Sequence, residues 1–186
     1  MFAIDLGLRH ATVAQWDVQT HLPEIVPFCV EGFIPPWVNF STTPALIGLD
    51  AKKCPFQGFS VFDTKRFIGK RSLDDVTPPD DVKWPFTLEE DKKSGTLLVK
   101  VRDPATPDGW MKFRPEQISA MVIWYLLHSV PKFTDITDPI TTAVITVPAS
   151  FTADQMEATI RAGKIAGLKE VHVYPEASAA AMYVLH

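Results

Sequence analysis

The stretch TAVITVPASFTADQMEATIRAGKIAGLKEVHVY, residues 142–174, carries the clearest alternation of strand and helix patterns in this chain. It opens with Thr142–Val147, a β-branched and nearly all apolar run that is typical of a buried parallel strand. Thr152–Ala166 has the pattern of a helix, and Val171–Tyr174 follows as a second short strand. A strand, a helix and a strand in this order predict the parallel unit of a three-layer α/β domain.

Both ends of the predicted helix carry local signals. Thr152 and Gln155 have the spacing of a capping box, and Gly167 stands where a glycine commonly ends a helix. Two more helices are expected around this unit. One starts at Glu176 and is rich in alanine; the other covers Pro115–Val130 and is stopped by a proline. The second of these places four larger side chains on one face: Ile118, Met121, Val122 and Tyr125.

The first part of the chain predicts strands that precede this unit. Phe2–Leu6 is short and apolar, Ala11–Val18 alternates well enough to pair with it, and Val26–Val30 is a candidate third strand. Short helices are expected at Asp50–Lys53 and Val61–Ile68. Three further strand-like pieces predict a small antiparallel sheet: Trp84–Leu88, Thr96–Val101 and Trp110–Phe113. We therefore predict a core subdomain of residues 1–45 and 114–186 with an inserted α+β subdomain of residues 46–113.

Composition narrows the classes of function. Hydrophobic residues make up 46% of the 186 residues and charged residues 22%, which is ordinary for a globular protein. A net charge of -4 offers no basic face for nucleic acid. No secretory signal and no apolar run of the ~20 residues that span a bilayer is present, so we expect a cytoplasmic protein without a membrane partner. Cys29 and Cys54 have no metal-ligand or disulfide pattern, and reduced thiols are expected.

Asp5-Leu6-Gly7 is the first candidate for chemistry. A carboxylate at the end of a buried strand, followed by a glycine turn, suits a metal–phosphate site, because the turn amides can approach phosphate oxygens. The alternative is a strand-ending aspartate that accepts hydrogen bonds from its own turn. Three residues alone do not separate these interpretations.

A resemblance that runs along the whole chain adds to this pattern. Seven blocks, in this order, resemble lobe I of the seventy-kilodalton heat-shock (DnaK-type) chaperones: Ala3–Gly7, Leu46–Gly48, Val61–Gly69, Lys83–Phe86, Ala143–Ala149, Ile165–Leu168 and Glu176–Ala181. The resemblance implies an actin-like, ribonuclease-H-like ATPase lobe, with a mixed sheet flanked by helices and a smaller inserted subdomain. It also implies that the chain is a fragment of a longer protein.

The same resemblance implies roles for individual residues. Asp5 would hold Mg²⁺ through water, and Gly7 would belong to the turn that approaches the phosphates of ATP or ADP. Lys65 would reach the γ-phosphate and the attacking water, and Glu176 would orient water or metal. Pro148 would be the hinge that signals nucleotide state. Each of the last three residues also has a structural alternative. Lys65 could be a solvated lysine, Glu176 an acidic residue of the first helical turn, and Pro148 a residue that ends its strand.

Departures from the family affect the expected activity. At three positions where the family has two threonines and a tyrosine that bind the phosphates, this chain has Leu8, Arg9 and His10. Arg9 or His10 could supply positive charge in their place, or could face solvent. Met156 replaces an arginine that the family uses in interdomain signalling, and Ala177 replaces a proline.

The resemblance predicts ATP binding and slow hydrolysis coupled to protein folding in the full-length parent, with the fragment alone inactive. Expected partners are lobe II, a substrate-binding domain, J-domain co-chaperones and nucleotide-exchange factors. The alternatives are a non-hydrolysing co-chaperone or scaffold and, less well supported by the sequence blocks, an actin-like sugar kinase.

Overall fold

The computed structural model describes residues 1–28, 32–80, 82–103 and 106–184. The strands are β1 (Phe2–Leu6), β2 (Ala11–Trp16), β3 (Pro23–Ile25), β4 (Val38–Asn39), β5 (Leu46–Ile47), β6 (Ser60–Val61), β7 (Thr87–Asp91), β8 (Thr96–Arg102), β9 (Trp110–Phe113), β10 (Thr142–Val147) and β11 (Glu170–Pro175). The α-helices are α1 (Leu49–Lys53), α2 (Pro115–Ser129), α3 (Ala153–Ile165) and α4 (Glu176–Val184).

The core is a five-stranded mixed sheet with the order β11-β10-β1-β2-β3. β10 runs parallel to both β1 and β11, whereas β2 runs antiparallel to both β1 and β3. Residues 2–6, 142–147 and 171–174 therefore lie side by side in one sheet, and the predicted mixed sheet is confirmed. Because three adjacent strands are parallel, their carboxyl ends meet at one edge of the sheet.

Helices α2 and α3 pack against each other and against this sheet. The sheet meets them with fully buried aliphatic side chains such as Ile4, Val13 and Ile145. Gly163 permits the close approach of α3, since a Cβ atom there would lie 2.8 Å from Val171. The helical layer therefore rests on apolar packing too tight for a larger residue at that position.

The ends of α3 follow the predicted local chemistry. The Thr152 hydroxyl accepts a hydrogen bond from the Gln155 N–H at 3.3 Å, and the Gln155 side chain accepts one from the Thr152 N–H at 3.1 Å. Gly167 follows the helix with a φ of 107°. Both the capping box and the terminal glycine are confirmed, and they fix where the connection from β10 enters the helix.

Two small antiparallel sheets lie between β3 and α2. One has the order β5-β4-β6 and the other β7-β8-β9. The second confirms the predicted three-strand sheet with slightly shifted bounds. Strand β4 pairs with both β5 and β6, so residues 38–39 belong to the same sheet as residues 46–47. The predicted subdomain limits of 46 and 113 remain a prediction.

Two local expectations are wrong. The third strand is Pro23–Ile25, before the predicted start at Val26, because a proline is tolerated on an edge strand, where its missing N–H breaks no ladder bond. Val61–Ile68 is not one helix: Val61 lies in β6, and only Thr64–Arg66 forms a 3₁₀ turn. Asp63 has a left-handed φ of 60° that interrupts any helix there.

Two further expectations concern cysteines and membranes. Cys54 is a free, buried cysteine, while Cys29 and the end of the predicted third strand at Val30 lie outside the described residues. Among the helices that the structure describes, none is both long and apolar enough to cross a membrane.

Candidate functional site

Asp5 lies on the outward face of β1, near the carboxyl end of the strand. Its neighbours Ile4 and Leu6 point into the core, whereas the Asp5 side chain is 49% exposed. Thr146, its register partner on β10, donates a hydrogen bond from its hydroxyl to Asp5 Oδ1 at 2.9 Å. The carboxylate is therefore held in place by the neighbouring strand and remains open to solvent for a ligand.

The turn after β1 is closed by its own backbone. The Gly7 N–H donates to the His10 carbonyl at 2.9 Å, and a Cβ atom at Gly7 would lie 2.6 Å from that oxygen. Arg9 and His10 are exposed, and the His10 ring lies 3.9 Å from the ring of Phe33. Position 7 therefore requires glycine for a steric reason, and turns that approach a ligand closely often have the same requirement.

Lys65 reaches the same edge of the sheet from the Thr64–Arg66 turn. Its side chain is only 13% exposed. The ammonium donates a hydrogen bond to Glu176 Oε1 and lies 4.0 Å from Asp5 Oδ1. Three residues far apart in the sequence thus meet around one partly buried positive charge.

Glu176 is the first residue of α4 and directly follows β11. An acidic residue in the first turn of a helix interacts favourably with the helix dipole, and here the same carboxylate also accepts the Lys65 hydrogen bond. The position of Glu176 in the first turn of the helix is confirmed, whereas its role in orienting water or metal stays a prediction.

Pro148 lies immediately after β10, at this edge of the sheet. It is half-buried, and its carbonyl accepts a hydrogen bond from the Phe151 N–H at 3.0 Å in the connection to α3. The geometry is that of a strand-to-helix turn. The hinge role of Pro148 stays a prediction.

The side chains of Leu8, Arg9 and His10 line a different space. They border an open pocket of about 780 Å³, whose other walls include Trp37 and Arg66. Asp5, Lys65 and Glu176 do not line it. The structure therefore brings three of the predicted site residues together and places the three substituted residues beside them, around a neighbouring pocket with a basic and aromatic lining.

The donor set fits a metal ion that is held mainly by water and phosphate. Within the described ranges, no group of three or more histidine, cysteine, aspartate or glutamate side chains is placed to bind a metal. Two carboxylates, Asp5 and Glu176, flank the Lys65 ammonium. Mg²⁺ typically uses one or two carboxylates and keeps several waters, so this pair suits Mg²⁺ bound with a nucleotide better than an all-protein metal site.

Sequence reasoning missed three residues that shape the site. Thr146 holds Asp5, the Ser119 hydroxyl donates to Thr64 Oγ1 at 3.0 Å, and Gly69 lies against the first turn of α3. A Cβ atom at Gly69 would lie 2.6 Å from the Gln155 Cα atom. Thr146 was visible as a polar residue in an apolar strand, but its partner depends on the register of two strands that are far apart in sequence.

Comparisons with known proteins find one family model and several relatives that match this chain. The family model described as Hsp70 protein matches residues 1–185. A heat shock cognate HSP70 protein of Trypanosoma brucei brucei is 36% identical over 182 residues, which is 96% of this chain and 26% of that protein. The chaperone protein dnaK of Cyanophora paradoxa is 36% identical over 184 residues, 96% of this chain and 27% of its own length.

A third relative is the heat shock cognate 70 kDa protein 3 of Dictyostelium discoideum, which is 33% identical over 181 residues, 96% of this chain and 28% of that protein. The chain thus spans about a quarter of the length of these relatives. The match of the family model over nearly all of the chain, together with these relatives, shows that this chain belongs to the Hsp70 family, whose ATPase domain is actin-like.

Proposed function

We propose that this chain forms one lobe of the ATP-binding domain of an Hsp70-type chaperone, and that its part of the reaction centres on Lys65. The observation that carries the proposal is the ammonium of Lys65, 13% exposed and placed between the carboxylates of Glu176 and Asp5. Hydrolysis of a phosphoanhydride needs positioning and neutralisation of charge more than covalent chemistry. A fixed, partly buried cation at the edge of a sheet supplies both.

Each residue has a distinct part in this proposal. Lys65 neutralises charge on the transferred phosphoryl group and positions the attacking water. Glu176 holds the ammonium and orients water, while Asp5, fixed by Thr146, is the carboxylate available to the hydrated metal. Asp5 would hold Mg²⁺ through water, and the ion would supply neutralisation of phosphate charge there. Gly7 brings backbone close to the phosphates, and Arg9 and His10 provide cationic or donor groups beside them.

The whole protein extends this role. Coupling of nucleotide state to a substrate-binding domain, through lobe II and with Pro148 as hinge, is proposed from the family. We also propose from the family that the whole protein has J-domain co-chaperones and nucleotide-exchange factors as partners and a cytoplasmic location. Heat-shock and DnaK names among the relatives favour the chaperone over the scaffold alternative.

The test is single-turnover hydrolysis of ATP by the natural protein that carries this chain. Lys65→Ala is expected to lower the rate about a hundredfold, equivalent to ~2.7 kcal/mol of barrier, and to leave ATP affinity within a few-fold. The matched control is Lys70→Ala in the same segment, whose ammonium donates to the Asp75 carbonyl at the surface. It is expected to leave the rate unchanged.

Two results would contradict the proposal. Hydrolysis that Lys65→Ala leaves intact removes this residue from the mechanism. Tight binding of ATP without any hydrolysis in the unaltered protein supports a scaffold instead, and it points to the substitutions at Leu8 and Arg9.

A further inference from the structure

A buried pair of hydroxyl groups includes that of Thr64, the residue that precedes Lys65 in the chain. Ser119, on α2, is 1% exposed, and Thr64, the first residue of the 3₁₀ turn, is 6% exposed. The Ser119 hydroxyl donates to Thr64 Oγ1 at 3.0 Å. Fifty-five positions of sequence separate the two residues, so the bond ties the inserted segment to the helical layer of the core.

The element that provides the partner of the Ser119 hydroxyl is informative. A serine within a helix can satisfy its hydroxyl locally, by donating to a carbonyl of the preceding turn. Ser119 instead donates across to a different element. Thr159 provides the contrast, because it is also buried beside Lys65 but donates to the Gln155 carbonyl of its own helix at 2.9 Å.

We propose that Ser119 is a positioning residue for Lys65: its hydrogen bond to Thr64 fixes the turn from which the Lys65 side chain extends to Glu176 and Asp5. The inference rests on the proposed function for its catalytic consequence. Its structural content, the placement of the ammonium, stands independently of whether ATP is hydrolysed.

The physical reason lies in the weakness of the elements that carry Lys65. A lysine side chain is flexible, and a three-residue 3₁₀ turn has poor hydrogen-bond geometry of its own. Thr64 is the anchor of this turn, since its carbonyl accepts from the N–H groups of Phe67 and Ile68 at 3.1 and 2.8 Å. Holding the Thr64 side chain therefore sets the point from which the Lys65 side chain starts.

The experiment compares four hydroxyl variants of this chain through a signal that reports on the ammonium itself. In ¹H–¹⁵N spectra that select lysine NH₃⁺ groups, a protected, hydrogen-bonded Lys65 ammonium gives a separate resonance, assigned by its loss in Lys65→Arg. Thr64→Val and Ser119→Ala remove the hydroxyl pair, Thr64→Ser keeps it, and Thr159→Val is the control for loss of a buried hydroxyl in the same region. Thermal unfolding of each variant confirms that it is folded.

We expect the Lys65 resonance to be lost or strongly broadened in Thr64→Val and in Ser119→Ala, and to be kept in Thr64→Ser and in Thr159→Val. In the natural protein, the first two variants should lower single-turnover hydrolysis about tenfold with nucleotide affinity unchanged, because small displacements of a catalytic group reduce rate steeply.

The proposal is overturned if both hydroxyl-deleting variants keep the resonance, or if Thr64→Ser loses it as fully as Thr64→Val. It is also overturned if the unaltered chain shows no protected Lys65 ammonium. If no variant hydrolyses ATP, including the unaltered protein, the proposed function fails while the resonances still decide whether Ser119 positions Lys65.

Discussion

The two segments that border the candidate site are held in different ways. Residues 64–69 are tied to the core at both ends, through the Thr64 hydroxyl and through Gly69, whose backbone lies against the first turn of α3. The turn of residues 7–10 is closed by the hydrogen bond from the Gly7 N–H to the His10 carbonyl, and the His10 ring packs against Phe33. Both segments contain a glycine at which an added Cβ would meet a backbone atom at 2.6 Å.

This difference corresponds to what each segment offers a ligand. Lys65 acts through the end of a long side chain, so the backbone beneath it must be fixed from outside if the ammonium is to stay in place. The 7–10 turn offers backbone N–H groups, whose directions are set by the shape of the turn alone. We therefore expect contacts with the core to be needed for placing the ligand-binding group of residues 64–69, and not to be needed for that of residues 7–10.

The largest effect that tests this comparison is expected from Gly69→Ala. Gly69 has a φ of 71°, which is unfavourable for alanine, and the new Cβ would meet the α3 backbone, which cannot move alone. We expect the free energy of unfolding of this chain to fall by about 3 kcal/mol in a urea titration.

Gly95→Ala is the matched control for this variant. Gly95 has a φ of 65°, and no described atom outside its chain neighbours lies within 4 Å of the place that an alanine Cβ would take. The substitution therefore isolates the backbone strain, about 1 kcal/mol. Equal losses in the two variants would show that the contact between Gly69 and α3 contributes nothing.

A smaller effect is expected from Gly7→Ala. The added Cβ meets the His10 carbonyl, which belongs to the same exposed turn and can shift without disturbing the core. We expect a loss of about 1 kcal/mol in unfolding free energy, together with a loss of ATP affinity of about tenfold in the natural protein, because the N–H groups would turn away from the phosphates. A destabilisation as large as that of Gly69→Ala would mean that the two turns are equally constrained.

The same contrast explains what the sequence could predict about the fold. Thr152, Gln155 and Gly167 were predicted correctly because a helix end is decided by neighbours in the chain. Val61–Ile68 was misjudged because the left-handed backbone at Asp63 goes with a distant partner, the Trp84 indole N–H, which donates to Asp63 at 3.1 Å. Local pattern does not contain a side-chain partner twenty-one positions away.

For the site, the residues themselves indicated only Asp5 and Gly7. Lys65 and Glu176 came from the resemblance to the family, which carries information on contacts that one sequence does not contain. Ser119 was interpreted from its surroundings as part of an ordinary amphipathic helix, and its hydrogen bond to Thr64 depends on how α2 docks beside the turn. The nucleotide roles of all these residues stay predictions, because they concern a ligand and not a contact within the chain.

The smallest effect on stability is expected from the double substitution Leu8→Thr and Arg9→Thr. Leu8 is half-buried at the rim of a pocket, and the interactions of an exposed side chain such as Arg9 contribute little, so the unfolding free energy should change by no more than about 0.5 kcal/mol. The ATP affinity should change more than the free energy of unfolding. The two threonines would supply the hydroxyls that the resemblance implies for phosphate binding. A hydrogen bond to a charged oxygen contributes about 1.5 kcal/mol, or roughly a tenfold gain in ATP affinity for each one formed. Titration of the natural protein and of the double variant with Mg-ATP measures this gain.

If the ATP affinity instead falls, Arg9 already pairs with the phosphates in place of the hydroxyls, and the turn binds phosphate through a different side chain. If urea unfolding shows a loss of more than about 1 kcal/mol, side chains and not the backbone bond hold this turn, and the contrast with the 64–69 segment does not hold.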